Sequence, residues 1–166
     1  QAAHLENGDG EPLRTDFGPP NLPTSIANKE IALGHPLPAE FRDFYLMADG
    51  GSLFGVQLQP LDAQMYLRAY GVLMFHNWGN GDFDGIALTT EGGFNIGQIL
   101  FCESGGNRVE LISDSFENWL RDVYEEIKHR HTLYHPMDYQ IQAKRNGRLA
   151  QILRSIFTRP STIRGK

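Results

Sequence analysis

The chain has 166 residues, of which 40% are hydrophobic and 21% charged, and its 20 acidic and 15 basic residues give a net charge of −5. This is the size and composition of one globular domain, which excludes a wholly disordered or fibrous chain. The excess of acidic residues argues against general binding of nucleic acid, because phosphates need a basic surface. A single cysteine, Cys102, excludes an internal disulfide, and no apolar run approaches the roughly 20 residues that cross a bilayer, so we expect a cytoplasmic protein without a membrane span.

The N-terminal part of the chain predicts a lead-in followed by two helices. Residues 1–23 are rich in glycine and proline, which is typical of a flexible segment. A first helix is predicted over residues 24–33, ending at Gly34. A second is predicted to begin at Pro38, because the N–H that proline lacks has no partner in the first helical turn. Apolar residues at helical spacing predict its buried face: Phe41, Phe44, Tyr45 and Ala48.

The middle of the chain predicts an antiparallel sheet. Short apolar runs alternate with glycine-rich turns, and such turns join neighbouring strands into hairpins. Gly79-Asn80-Gly81 is the strongest turn signal. Residues 61–70 are ambiguous, with more helical than strand character. The predicted strands are residues 52–58, 72–78, 83–89, 99–102 and 108–112.

The C-terminal part predicts two helices of different character. The first, over residues 115–131, completes an α+β domain that we expect to span residues 24–135, with a mainly antiparallel sheet flanked by helices. The extension over residues 136–166 is basic, since its last 28 residues carry seven basic and no acidic residues. Apolar residues at positions 149, 152, 153, 156 and 157 predict an amphipathic helix at about 147–158. This helix either docks on the domain, which we favour because an exposed apolar stripe is a liability, or binds a partner or an anionic membrane.

This order of elements resembles the SUKH superfamily, the Smi/Knr-like domains. The pieces that carry the resemblance are Glu30 with Leu33-Gly34, Leu37-Pro38, Phe41–Tyr45 running into Asp49-Gly50-Gly51, Phe75–Asn77, Gly79–Asp82, Gly85–Leu88 and Asp114–Leu120. The proline-rich start, the His35-Pro36 insert and the basic extension depart from the family pattern. The resemblance implies a binding module without catalysis. Many bacterial members look like immunity proteins that neutralise secreted toxins, often nucleases, whereas eukaryotic relatives look like regulators and scaffolds, which is our alternative prediction.

Acidic residues gather around the predicted turns. A negative surface steers a basic partner, and a nuclease is basic where it holds phosphate. Trp78 lies at a strand end beside a turn, where it is either a core residue or a half-exposed interface anchor. The predicted partner is therefore another protein, a basic toxin domain. Its predicted binding residues are Asp49, Trp78, Asp82, Asp84, Glu91 and Glu103.

The segment Asn80–Glu91 also matches the spacing of an EF-hand calcium loop, with oxygen ligands at its first, third, fifth and last positions and a glycine at the sixth. The first ligand is asparagine where aspartate is usual, and the flanks read as strands where an EF-hand has helices. A polar hairpin turn is therefore the preferred interpretation. A calcium-binding protein stays a distant alternative.

Two further sets of side chains have the residue types of a catalytic or metal site. His76 and Cys102, on predicted strands, are a conceivable base and nucleophile, but no activating motif accompanies them, and a free cysteine usually behaves as a small core residue. Three histidines near the end of the last domain helix are more simply explained as cations at a helix C-terminus: His129, His131 and His135. We therefore predict no catalysis, no metal and no cofactor.

Overall fold

A computed structural model describes residues 15–53, 56–104 and 108–132, with side chains as far as residue 126. Three α-helices lie in these ranges: α1 (Pro23–Leu33), α2 (Ala39–Met47) and α3 (Phe116–Thr132). The same ranges hold the eight strands of one sheet: β1 (Thr15–Phe17), β2 (Gly51–Leu53), β3 (Val56–Leu58), β4 (Met65–Leu67), β5 (Val72–Asn77), β6 (Phe83–Ala87), β7 (Ile99–Cys102) and β8 (Val109–Ser113). The α+β prediction is confirmed. The predicted helix at 147–158 lies outside the described residues.

The strands are all antiparallel to their neighbours, in the order β1-β2-β3-β5-β6-β7-β8, with β4 also paired to β5. β3 and β4 both pair with β5, β3 at His76 and β4 along Val72 to Met74. β5 and β6 form a hairpin whose register shifts between Met74 and His76, so that His76 pairs with Asp84. This bulge places a histidine and an aspartate side by side in the centre of the sheet.

The helices begin and end close to the predicted residues. α1 stops at Gly34, whose φ of 73° lies in the left-handed region and whose N–H donates to the Glu30 carbonyl at 2.9 Å. Pro38 precedes α2 as its cap residue and does not open it. α3 is capped by Ser115, whose Oγ accepts from the Asn118 N–H at 3.1 Å. Capping residues are local signals, which is why these boundaries could be predicted.

Three segments differ from the sequence prediction. Residues 15–17, within the predicted flexible lead-in, form strand β1 against β2. Phe17 holds this strand to the core through an edge-to-face contact with Phe44 at 5.8 Å. The range 52–58 was predicted as one strand, whereas β2 and β3 are two strands that pair with each other in antiparallel fashion. The ambiguous residues 61–70 form β4 between two short 3₁₀ turns.

The sheet has an inner face, covered by the helices, and an outer face. α2 and α3 pack aromatic rings on the inner face, and Phe75 of β5 contacts Phe41, Phe116 and Trp119 with centroids 4.9–5.4 Å apart. Near-perpendicular rings at these separations are the favoured arrangement for aromatic pairs. The predicted buried residues of α2 are all fully buried. On the outer face a second, smaller cluster forms around Val72, Ala87, Leu100 and Cys102.

Candidate functional site

The turn between β5 and β6 is held by its own polar side chains. The Trp78 N–H donates to the Asp82 carbonyl at 3.0 Å, and the Asp82 N–H donates to Asn80 Oδ1 at 3.0 Å. The Asp82 carboxylate accepts from Asn80 Nδ2 and from the Ser104 N–H, both at 2.7 Å. The second of these bonds ties the turn to the residue that follows β7 by two positions. The turn is therefore a braced projection at one end of the sheet.

Asp84, two residues after this turn, is turned into the protein. Its carboxylate is 0% exposed and accepts two indole hydrogen bonds, from Trp78 Nε1 to Oδ1 at 3.0 Å and from Trp119 Nε1 to Oδ2 at 3.2 Å. Burial raises the pKa of Asp84 above its ordinary value, against the opposing effects of the Trp78 bond, the charge of His76 and the Trp119 bond. A buried carboxylate held by two donors fixes the positions of both indoles.

His76 completes this cluster. Its ring is 5% exposed, and Nδ1 lies 2.7 Å from the Gln57 carbonyl oxygen. A carbonyl oxygen can only accept, so Nδ1 carries the hydrogen of this bond. The imidazole meets Trp78 edge-to-face at 5.0 Å and lies 5.9 Å from Trp119. Trp78 thus contacts both His76 and Asp84, and Trp119 holds the second oxygen of the Asp84 carboxylate.

Trp78 itself is 59% exposed. Of the two interpretations that the sequence left open, a core residue or a half-exposed ring beside the turn, the structure shows the second. One edge of the indole is bonded to a buried carboxylate and packed on a histidine, while the rest of the ring faces outward. This combination of a fixed position and a free aromatic surface is suited to contact with a macromolecule.

The predicted partner residues are not all in one place. Trp78, Asp82 and Asp84 lie together, and the exposed Glu103 directly precedes the residue bonded to Asp82. We call residues 78–82 with Glu103 and Ser104 the Trp78 turn surface. Asp84 supports it but does not lie on it, contrary to the expectation of a surface carboxylate.

Asp49 and Glu91 lie elsewhere. Asp49 Oδ1 accepts from Asn21 Nδ2 at 2.9 Å and from the Leu61 N–H at 2.8 Å, so this carboxylate braces the chain after α2. Glu91 is exposed in a turn beyond the far end of β6 from Asp82. These two residues do not extend the Trp78 turn surface.

The segment Asn80–Glu91 does not have the geometry of a cation loop. β6 runs straight through it, which separates the first and last predicted ligands by the length of a strand, and Asp84 points inward to the two indoles. Across residues 15–53, 56–104 and 108–126, no group of three histidine, cysteine or acidic side chains is arranged to hold a metal ion.

The conceivable His76–Cys102 pair is separated by the sheet. Cys102 belongs to the outer-face cluster, whereas His76 contacts the inner-face Trp119. Burial, and secondarily the charge of Asp84, raise the pKa of the Cys102 thiol to about 11, which keeps it protonated and unreactive near neutral pH.

His76 and Trp119 were not predicted as parts of the site. One signal for this cluster was present in the sequence: Asp84, Ile86 and Leu88 alternate along one strand, and alternate residues share a face. Phe83, Gly85 and Ala87 on the other face are also apolar or glycine, so the sequence indicates a strand buried on both faces, in which Asp84 is buried whichever way it points. An inward carboxylate needs buried donors, and an indole N–H is a donor that cannot accept.

The comparisons with known proteins agree with this fold. None of the described helices is long and apolar enough to cross a membrane. A search of curated proteins found no match to the chain. The model of the SMI1 / KNR4 family (SUKH-1) matches residues 20–122, from just before α1 into α3, which is more than half of the chain. The chain therefore belongs to the SMI1 / KNR4 family (SUKH-1).

Proposed function

We propose that this protein is a non-catalytic binding module that neutralises a cognate secreted toxin of the nuclease class, in the cytoplasm, by binding it through the Trp78 turn surface. The family to which it belongs is generally non-catalytic and commonly includes immunity proteins. Family membership supports the general class of function. The partner surface rests on the geometry of this chain.

The observation that carries the proposal is the supported exposure of Trp78. Binding immobilises side chains, and each flexible one costs about 0.5–1.5 kcal/mol of ordering free energy. The Trp78 ring is already held by its bond to Asp84 and its contact with His76, so much of that cost is met in the free protein. Tryptophan is also among the residues that most often dominate binding energy at interfaces.

The charge around Trp78 favours a basic partner. Asp82 and Glu103 place two carboxylates on the Trp78 turn surface. A nuclease must present basic groups to hold phosphate, and an acidic surface that occupies them blocks substrate. Such charges act mainly on the association rate, and salt weakens their effect beyond a Debye length of about 8–10 Å.

The test uses a toxin domain encoded beside this gene, produced as a catalytically inactive variant. Binding is followed by stopped-flow mixing and surface plasmon resonance at two salt concentrations. Glu103→Lys should lower the association rate and weaken its salt dependence. Trp78→Ala should raise the dissociation rate by at least about tenfold, because an anchor residue is worth more than about 1.4 kcal/mol.

The matched control is Glu91→Lys, which makes the same change of charge beyond the far end of β6. It should leave both rate constants nearly unchanged. Equal effects of the two lysine substitutions would show that net charge, and not the Trp78 turn surface, governs binding. If a pull-down with this protein followed by mass spectrometry recovers a regulatory protein and no toxin, the scaffold alternative is favoured.

A further inference from the structure

The outer face of the sheet is apolar where a solvated face would be polar. In an antiparallel sheet with one covered face, strands normally alternate between apolar and polar residues. Here the outer-face positions of β4 to β8 are apolar or glycine over most of their length, as the register pairs show: Met65 with Met74, Leu67 with Val72, Val72 with Ala87, Met74 with Gly85, Gly85 with Leu100, Leu100 with Leu111, and Cys102 with Val109. Both faces of this part of the sheet therefore have the apolar composition of buried faces.

The described helices cover the inner face. Every helical residue of the described core belongs to the inner-face cluster, whereas the outer-face cluster is built from strand residues with Tyr70 and Phe94 from turns. The four buried residues of this cluster are 0–2% exposed although no described α-helix packs on them, whereas Leu111 and Met65 at its two margins are 47% and 51% exposed. Leucine on an edge strand is unusual without a cover, because exposed apolar edges promote aggregation.

The chain itself supplies an occupant of suitable size. Residues 149, 152, 153, 156 and 157 are apolar at helical spacing, which makes one continuous stripe. The stripe is about 12 Å long at 1.5 Å per residue, and three adjacent strands of a sheet span about 10 Å between their outer axes. A helix over this segment therefore matches the width of β6 to β8.

The path from the domain to this face is short. α3 packs against β8, the edge strand, on the inner side of the sheet. The 14 residues 133–146 reach at most about 46–50 Å when extended, whereas a helix layer packed on a sheet is about 10 Å away from it. The chain can pass around the β8 edge to the outer face with length to spare.

We propose that residues 149–157 form a helix that docks its apolar stripe on the outer face of this chain's own sheet, over β6 to β8. Arg154, the one basic residue of the segment, then faces solvent, in a protein whose acidic residues all lie before it. This inference is independent of the toxin proposal, since it concerns the face of the sheet and not the Trp78 turn surface.

Cys102 is a built-in reporter for the proposal, because it is the single cysteine and lies in the outer-face cluster at 2% exposure. Alkylation of the full-length chain is measured at one pH, with and without Ile152→Asp plus Ile156→Asp. The double substitution should raise the alkylation rate by at least about tenfold and should lower the urea midpoint, because the docked helix no longer stabilises the folded domain, while unfolding stays cooperative. Gln151→Asp plus Ser155→Asp, which makes the same charge change on the polar side of the predicted helix, should not.

A cysteine pair keeps the proposal testable if the alkylation variants fail to fold. In a Cys102→Ala background, Leu111→Cys with Ile152→Cys should form an intramolecular disulfide on mild oxidation, at a rate independent of protein concentration. Leu111→Cys with Ser155→Cys is the control and should react at least about tenfold more slowly, since its second thiol lies away from the sheet. Unchanged Cys102 alkylation, or disulfides that form only between chains, would overturn the proposal; the latter result would show that a second copy covers this face.

Discussion

Replacing Trp119 with phenylalanine isolates the hydrogen bond that its indole donates to Asp84. The indole is buried and its Nε1 lies 3.2 Å from Asp84 Oδ2. A hydrogen bond to a charged group contributes about 1.5–3 kcal/mol, and the smaller ring leaves a gap that costs roughly 1 kcal/mol more. Trp119→Phe should therefore lower the free energy of unfolding by about 2.5–4 kcal/mol near neutral pH.

Trp78→Phe is the matched control. It removes a chemically identical bond to the same carboxylate, at 3.0 Å, but from a ring that is mostly exposed. Asp84 is buried beneath this exposed ring, so the smaller phenylalanine opens the carboxylate to water, which replaces the lost donor, and the cost should stay within about 1 kcal/mol. The comparison separates the effect of burial from the effect of bond type.

The cost of Trp119→Phe should also depend on pH. The lost bond is strongest to the ionised carboxylate, so the destabilisation should be larger at about pH 8 than at a pH below the raised pKa of Asp84, where the carboxyl group is protonated. Urea unfolding followed by far-UV circular dichroism measures both values without relying on tryptophan fluorescence. Equal costs for the two tryptophan variants, or a pH-independent cost for Trp119→Phe, would refute the reasoning.

Three further substitutions test the support of the fold. Burial raises the pKa of Asp84 above 3.8, so the stability that this group contributes is fully present below the unfolded-state pKa and is lost as the pH rises through the folded-state pKa. Asp84→Asn should therefore flatten that part of the stability–pH curve measured by urea unfolding. An unchanged slope would contradict the assignment. Asp49→Ala leaves the Leu61 N–H without its acceptor and should lower the urea midpoint by the equivalent of about 1–3 kcal/mol, without altering toxin association rates. Gly85→Ala would overlap a Val72 methyl group across the β5–β6 hairpin and should cost about 1–3 kcal/mol in thermal unfolding; a neutral result would mean that the two strands separate easily.

The parts of the fold that the sequence predicted are those with local signals. Gly34 ends α1 because glycine readily adopts the left-handed conformation, and Ser115 caps α3 through a bond to a residue three positions on. The buried face of α2 was likewise visible as helical spacing. Each of these depends on residues within a few positions of one another.

The sequence did not predict strand β1 or the burial of Asp84. The first depends on pairing with a distant strand, and the second is an exception to the rule that acidic residues lie on the surface. β1 has the composition of a loop and becomes a strand because β2, over 30 residues later, supplies its partner. Acidic residues are assigned to the surface by default, yet Asp84 is buried because Trp119, 35 positions away, supplies a donor. The apolar neighbours of Asp84 along the strand indicated that it is buried, but no local pattern identified that donor.

The sheet has a narrow seam, and this has a consequence for how the protein opens. β3 meets β5 at one registered pair, Leu58 with His76, reinforced by the Gln59 N–H to the Phe75 carbonyl at 2.7 Å and by the imidazole bond to Gln57. The ribbon β1–β3 is thus attached to the remaining strands by few backbone bonds, and segments joined in this way exchange their amide hydrogens as separate cooperative units. Detachment of that ribbon leaves the β5–β6 hairpin paired with β7 but breaks the bond between His76 and Gln57, so opening at this seam also loosens the support of Trp78.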